Sequence, residues 1–487
     1  MSTTTESQSE HRTFFGHPWG LANLAGVEMW ERFSFYGMQA ILIYYLYYSV
    51  TAGGLGLPEG TATSIVGAYG GLVYLSAILG SWVADRLFGA EHTLTGAAVL
   101  IMCGHLSLAI FPGLGGVGVG LICIALGSGT LKATTSSVLG DMYAPDDERR
   151  DGGFSIYYMG VNLGALFGPL LTGLIWGWQG FHWGFGLAAI GMAIGLTQYL
   201  LMRRSTIGDA GHEVTNPLDR AGRMRYGLIA LGVVLLVAVL SLVGVITAAR
   251  LSTIVVGITF AAAVALFAIM LTSKNIDTIE RHRVQSFIPM FIASAIFWSL
   301  FQQQFSVIAI YAEQRLDLNL FGWPMPPSWV QSINPIFIII FAGVFASMWT
   351  KLGPRQPSTP IKFAIGTVVM GIAFLLFLPY ANGGPNSTPL LWIVFILFLF
   401  TIAELCLSPV GQSLSTKLAP KAFHTQMIAL FFLSIAVGTA GAGSLAAFYN
   451  PEDEVPYFAF LGSASIVVGV ALFACRKPIS RLMEGIR

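Results

Sequence analysis

Five charged residues lie inside long apolar runs, where a charge is costly and usually has work to do. Glu28, Glu31 and Arg32 share the first run, Lys132 sits within LGSGTLKATTSS, and Glu404 within FTIAELCLSP. In a helix, residues three and four apart are neighbours. Glu28, Glu31 and Arg32 therefore share one face, and steps of three or four along that ridge reach Phe35, Tyr36 and Gln39. Arg32 can neutralise one of the two acids. The other needs a second cation or a proton, and Lys132 is the remaining cation at that depth, so a Lys132–Glu31 partnership is expected. Ion pairs that only hold helices together would rarely set two acids against one base, and buried pairs are poor stabilisers. The spacing points to a site whose protonation changes during work. Glu404 has no cation near it in sequence. It precedes Ser408 and Pro409, and the proline frees a backbone carbonyl in the turn before it. Such an acid suits a ligand's amine.

These groups need elements that hold them away from bulk water. Of 487 residues, 55% are hydrophobic and 10% charged, with mean hydropathy +0.72. A soluble domain has about 25% charged residues. Fourteen apolar segments are expected near 21–48, 61–85, 93–112, 117–140, 154–176, 183–202, 226–248, 252–272, 287–311, 329–350, 361–380, 390–412, 424–448 and 457–475. Blocks of this length cross a hydrocarbon core of about 30 Å as helices. They are too uniformly apolar for barrel strands, which alternate. The fold class is an all-α polytopic membrane protein.

Loop cations set the orientation. With the N-terminus cytoplasmic, Arg86, Arg149, Arg203, Arg204, Arg220, Lys351, Lys417 and Arg476 all fall on the cytoplasmic side, and only Arg250 and Arg315 fall outside. Both termini are then cytoplasmic and the chain is a multi-pass protein of the cell (inner) membrane. The segments divide six, two, six: an N-terminal bundle over 1–202, a basic linker and two greasy extra helices over 203–285, and a C-terminal bundle over 286–487. The extra pair reads as a peripheral hairpin outside any pathway. Two six-helix bundles with a site between them at mid-membrane is a plan of secondary transporters.

Other signals carry less. A net charge of +1 gives no reason to expect nucleic acid. Cys103, Cys123, Cys406 and Cys475 have no metal or disulfide spacing. Gly113–Gly118 matches GxGxxG but follows no strand, and is expected to be a turn between helices. His212-Glu213 lacks the second histidine of a zinc protease motif. Gly127, Gly129, Gly160, Gly164 and Gly168 read as close-packing positions. No cofactor is implied, no nucleotide motif supplies energy, and no nucleophile or metal motif makes an enzyme. A channel's repeated filter or charged ring is also missing.

At its charged residues the chain resembles the proton-dependent oligopeptide transporter family of the major facilitator superfamily, bacterial type. GVEMWERFSFYGMQA looks like the family's ExxERFxYYG motif through Glu28, Glu31, Arg32, Phe33, Tyr36 and Gly37. GSWVADRLFG (Gly80–Gly89) is similar to the superfamily's loop motif. FSIYYMGVNLGAL, FWSLFQQQ, QSINPIFIII and ELCLSPVGQSLSTKLAPKAF resemble further family segments. The resemblance implies a major facilitator fold with 14 transmembrane helices. It implies a monomeric proton-coupled symporter that imports di- and tripeptides by alternating access, with peptides, protons and the lipid bilayer as partners. Another small polar solute (nitrate, an amino acid or a drug) is the alternative cargo; ExxER and Glu404 favour peptides. By matching position, Glu28, Glu31, Arg32 and Lys132 take part in proton coupling. The implied pocket comprises Arg32, Tyr36, Tyr69, Lys132, Asn162, Trp298, Asn334, Glu404 and Ser408. Asp85 and Arg86 end the second segment, where a cytoplasmic gate and a plain helix-end charge are both open readings.

The chain departs from the family at several positions. Ala133 and Thr134 stand where Pro-Asn is usual, and Phe35 replaces the first tyrosine of the helix 1 pair. Phe431 stands where a tryptophan is often seen. Gln39 and Gln302 replace a basic residue and a glutamate that in relatives can form a salt bridge closing the outward side. Two neutral amides avoid burying a lone charge and can still hydrogen-bond, so Gln39 and Gln302 are expected to lie together when that gate is closed; two unrelated neutral positions is the alternative reading.

Overall fold

The computed structural model describes residues 13–143, 147, 149–208, 210–214 and 216–486. The first twelve residues, expected at the cytoplasmic N-terminus, and Arg487 lie outside the described residues. In hydrocarbon every backbone polar group must be satisfied within its own element, and the apolar runs fold accordingly as helices. They are α1 (Trp19–Tyr47), α2 (Glu59–Val83), α3 (Ala90–Ile110), α4 (Gly113–Asp141), α5 (Arg150–Gln179), α6 (Phe181–Thr206), α7 (Arg220–Leu242), α8 (Leu251–Thr272), α9 (Thr278–Phe301), α10 (Val307–Arg315), α11 (Ile333–Leu352), α12 (Thr359–Leu375), α13 (Leu390–Lys417), α14 (His424–Ala446), α15 (Val455–Ala474) and the short α16 (Arg476–Leu482).

Thirteen spans among the described residues are long and apolar enough to cross a membrane. The fourteenth is α1, whose 29 residues reach about 43 Å at 1.5 Å per residue. Its charged stripe is what keeps its hydropathy low. α9 and α10 form one crossing, Thr278–Arg315, broken by a tight turn at Gln302–Phe305. Backbone at the break is paired locally, Ser306 N donating to the Gln303 carbonyl at 3.0 Å, and its polar side chains are paired inside protein, as a broken membrane helix requires: Gln303 Nε2 donates to the Ala442 carbonyl at 3.2 Å, and Ser306 Oγ to Gln303 Oε1 at 3.2 Å. Gly113–Gly118, expected as a turn, instead forms the opening turns of α4. With Pro112 immediately before it, that segment is a helix start.

Two bundles result. α1 packs on α5 and α6, and α3 on α4 and α6, while α2 lies on α4; in the other bundle α12 packs on α13 and α15, and α9 on α14. Small residues set the spacing. A Cβ on Gly164 would stand 2.3 Å from the Met29 carbonyl, one on Gly168 2.4 Å from that of Phe33, and one on Gly129 2.0 Å from that of Val73. The extra pair divides in character. α7 buries none of its residues. α8, by contrast, packs on both α2 and α14, and Ser252 links them, its Oγ lying 3.2 Å from Ser64 Oγ and 3.0 Å from Ser444 Oγ. The hairpin is therefore peripheral only in α7, and α8 straddles the seam between the bundles.

The bundles meet at the Tyr47 end of α1. Tyr44 donates to the Ala309 carbonyl at 3.0 Å, and Tyr47 and Tyr48 both donate to Glu313, at 3.1 and 3.3 Å. Trp329 Nε1 donates to the Leu170 carbonyl at 2.9 Å and Ser332 Oγ to that of Leu166 at 3.0 Å. α2 and α14 touch through glycines, a Cβ on Gly67 standing 2.5 Å from Gly443 Cα. Toward the opposite end a cavity of ≈ 1000 Å³ lies against the second bundle, lined mostly by α11, α12 and α13, among them Glu404, Ser408 and Lys417, with Tyr158 of α5 the lining residue from the first bundle. Gly67→Val places a branched side chain where backbone must come. It is expected to leave membrane insertion intact and to lower solute uptake into proteoliposomes by about five- to a hundredfold, since about 1–3 kcal/mol of overpacking falls on one of the two end states. Wild-type uptake by this variant would show that the α2–α14 approach is not needed.

Candidate substrate and proton site

The middle of α1 carries the acid–base cluster as the spacing predicts. Glu28, Glu31 and Arg32 are 1%, 0% and 4% exposed, so these charges face one another and not water. Arg32 Nε lies 3.0 Å from Glu28 Oε1 and 2.7 Å from Glu31 Oε2. Ser128 of α4 donates to the other oxygen of Glu31. Arg32 also stacks its guanidinium 5.3 Å from the centre of the Phe35 ring, while its Nη2 has no partner. One guanidinium thus serves two carboxylates, and a hydroxyl takes part of the remaining charge.

Lys132 is placed differently from the expectation. Among the described residues it forms no ion pair with Glu31. Its Nζ stands 5.6 Å from the centre of the Tyr74 ring, and its side chain is exposed although it lies well inside α4. Glu28, Glu31 and Glu404 all act on it electrostatically at longer range. The reason is geometric. Ser128 precedes Lys132 by one helical turn on the same face, and it occupies the position nearest Glu31.

Across the opening, Asn334 of α11 donates from Nδ2 to Thr401 Oγ1 at 2.9 Å and toward Glu404 Oε2 at 3.4 Å. Glu404 is half-buried and, with Ser408, lines the cavity. The remaining implied pocket residues surround these poles. Tyr69 stacks on Phe35 at 5.8 Å and Tyr36 on Phe305 at 6.1 Å. Asn162 is turned back on its own helix, donating to the Tyr158 carbonyl at 2.9 Å. Trp298 is buried with its Nε1 unpartnered, packed edge-on against Phe297 and Phe301. Asp85 and Arg86 lie in the helical turn Ala84–Phe88 that follows α2. Their backbone carbonyls accept from Asn216 and Leu218, and neither forms an ion pair to the other bundle among the described residues. Ser128, Tyr74 and Tyr158 were not singled out in sequence. Ser128 and Tyr158 each precede a named residue by four, which is the signal that would have found them; Tyr74 is placed by tertiary packing alone.

Gln39 and Gln302 line one small cavity at the closed end, together with Gly67, Thr439 and Gly443. The cavity holds ≈ 10 Å³, the lower limit for one water, and Gln39 Oε1 is buried there without a partner.

A polytopic helical chain whose two bundles enclose buried charges reached from one end is a membrane transporter of the major facilitator fold, not an enzyme. The chain belongs to the POT family, whose model matches residues 92–461. It is 43% identical over 475 residues to an uncharacterized transporter, YclF, of Bacillus subtilis, covering 97% of this chain and 96% of that one. It is 40% identical over 492 residues to a di-/tripeptide transporter of Lactococcus lactis subsp. cremoris, covering 98% of each. A crystal structure of a peptide transporter POT in complex with sulfate superimposes with TM-score 0.93, 45% identity and 98% coverage of both chains.

The shared cavity of Gln39 and Gln302 generates a double-variant experiment. Gln39→Arg or Gln302→Glu alone buries an unpaired charge on closure, at a cost of about 3–5 kcal/mol, and each is expected to cut uptake tenfold or more. The double substitution is expected to recover most of it. A double variant no better than the worse single one would show that the two side chains do not meet during transport.

Proposed function

We propose that the protein is a proton-coupled symporter that imports di- and tripeptides by alternating access. The observation that carries this reading is the opposition of charge across the opening. Arg32 and Lys132 form a cationic pole on the first bundle, and Glu404, held by Asn334, forms an acidic pole on the second. A short peptide is a zwitterion with a limited separation between its ends. Its carboxylate suits the cationic pole and its amine the acidic one, while Tyr36, Tyr69, Asn162, Trp298 and Ser408 offer aromatic and polar contacts to side chains, which suits broad specificity.

The same cluster supports coupling. Two carboxylates on one guanidinium leave an excess negative charge in a dry site, and a proton on one acid removes it. A peptide carboxylate drawn to Arg32 and Lys132 competes with Glu28 and Glu31 for the cations, so proton uptake and peptide binding favour each other. We assign residues 1–202 and 286–487 as the two moving bodies and 203–285 as the linker and extra pair. Both termini are cytoplasmic, in the cell inner membrane, and a monomer suffices. The closed Tyr47 end is then the outer one and the cavity opens to the cytoplasm, with Asp85 and Arg86 free to act as a gate in the other state.

Two measurements test this. With labelled dialanine and proteoliposomes acidified outside, Glu31→Gln and Lys132→Ala are each expected to lose about nine-tenths of gradient-driven accumulation, because a proton-binding or cation partner of coupling is worth about 1.4 kcal/mol or more, while exchange of peptide for peptide is better preserved. Normal accumulation in both variants would refute the coupling assignment. Acetylating the amine of dialanine is expected to weaken binding about ten- to a hundredfold, since Glu404 would be left without its ionic partner at about 1–3 kcal/mol. Equal affinity for the free and acetylated peptides would remove Glu404 from the amine site.

A further inference from the structure

Away from the pathway, Glu91, His92 and His212 bring one carboxylate oxygen and two imidazole nitrogens within 4.8 Å of one another. Glu91 is 1% exposed, and its two oxygens have separate duties. Oε1 accepts from Tyr199 Oη at 3.0 Å, Arg203 Nη1 at 3.0 Å and Thr95 Oγ1 at 3.3 Å. Oε2 is buried with no hydrogen-bond partner and is aimed at the histidines, 3.5 Å from His212 Nε2 and 3.8 Å from His92 Nδ1. The two rings meet edge to face at 5.1 Å. Around a tetrahedral ion with ligands at about 2.0–2.1 Å, adjacent donors stand about 3.3 Å apart, so the three atoms need only a small closing movement. The oxygen not offered to an ion is tied down by three donors, the kind of outer-shell support that orients a metal ligand.

The backbone presents His212 to this carboxylate. Glu91 N donates to the Gly211 carbonyl at 3.0 Å, and Asn216 N and Leu218 N donate to the Asp85 and Arg86 carbonyls at 2.9 and 3.1 Å. Gly89 has φ +78° and no room for a side chain, its Cβ position lying 2.6 Å from the His212 carbonyl. The segment leading into α7 is thus already laid along the turn between α2 and α3. We propose that Glu91, His92 and His212 bind one borderline divalent transition-metal ion, such as Zn²⁺, which fastens the α6–α7 segment to the α2–α3 turn. Two imidazoles with one carboxylate select this class over Mg²⁺ or Ca²⁺, which take oxygen ligands. The partly exposed histidines give the ion entry from the aqueous side.

The test uses full-length detergent-solubilised protein with any affinity tag removed. Zn²⁺ is titrated against a chromophoric chelator, and Co²⁺ is added separately to read its ligand-field absorption. One Zn²⁺ per chain is expected, with affinity at least tenfold lower in His92→Ala and in His212→Ala. His282→Ala, whose imidazole pairs elsewhere with Glu484, should bind as the wild type does. Zn²⁺ should also slow proteolysis between residues 207 and 219 in the wild type and not in the two ligand variants. The absence of stoichiometric binding would overturn the site. So would unchanged affinity in a His92→Ala/His212→Ala double variant, or proteolysis indifferent to Zn²⁺ in the wild type.

Discussion

Inside a membrane helix, Arg32 has to serve two carboxylates. At an effective dielectric near 20, unit charges 4 Å apart interact by about 4 kcal/mol, so neither acid can leave the guanidinium without a replacement. Ser128 supplies part of that replacement to Glu31, and it does so because α4 lies against α1. The close passage of α5 over α1, set by Gly164 and Gly168, keeps bulk water from the same cluster. Coupling, on this view, follows from packing: the helices are brought near enough that charge balance inside the cluster depends on what enters the opening.

The two ends of the molecule are built from different chemistry. The closed end uses hydroxyl and amide groups, with Tyr47 and Tyr48 on Glu313 and Gln314 on Glu59 at 3.3 Å. It also uses glycine-to-glycine contact between α2 and α14. Among the described residues no ion pair spans this interface: the Glu313 and Glu59 carboxylates accept from neutral donors, so only one partner of each contact carries a charge to desolvate when it forms, which suits contacts that must break and remake. Toward the other end longer polar side chains, among them Lys132 and Tyr158, stay accessible, and Tyr158 lines the cavity. A transporter needs both ends to be of similar free energy in their open and closed forms, and modest hydrogen bonds of about 1 kcal/mol each keep the difference small.

α8 adds a constraint that a two-bundle plan alone does not contain. Ser252 touches Ser64 of α2 and Ser444 of α14, the two helices whose glycines meet at the seam. A helix in contact with both bodies either slides on one of them or moves with the gap, whereas its partner α7 buries none of its residues. The segment leading into α7 is fastened to the α2–α3 turn by backbone hydrogen bonds, so the extra pair is anchored to the first bundle at its start.

The sequence by itself determined that the chain spans a membrane many times as helices, because apolar runs of this length leave the backbone no other solution. It also determined that Glu28, Glu31 and Arg32 share one buried face, since three-and-four spacing is a property of one helix, but not that Lys132 stays exposed or that Glu91 and Glu454 are buried. Reach between helices is not written in spacing. Tertiary structure decided that Ser128, and not Lys132, takes the place beside Glu31, that Gly113–Gly118 starts a helix, and that α8 bridges the seam. It also decided that His212, set aside in sequence for want of a nearby second histidine, lies beside His92 and Glu91 in the first turn of α3. The physical reason is the same in each case: periodicity fixes neighbours along a helix, whereas contacts between helices depend on where small residues let backbones approach and where a chain turn brings distant segments together.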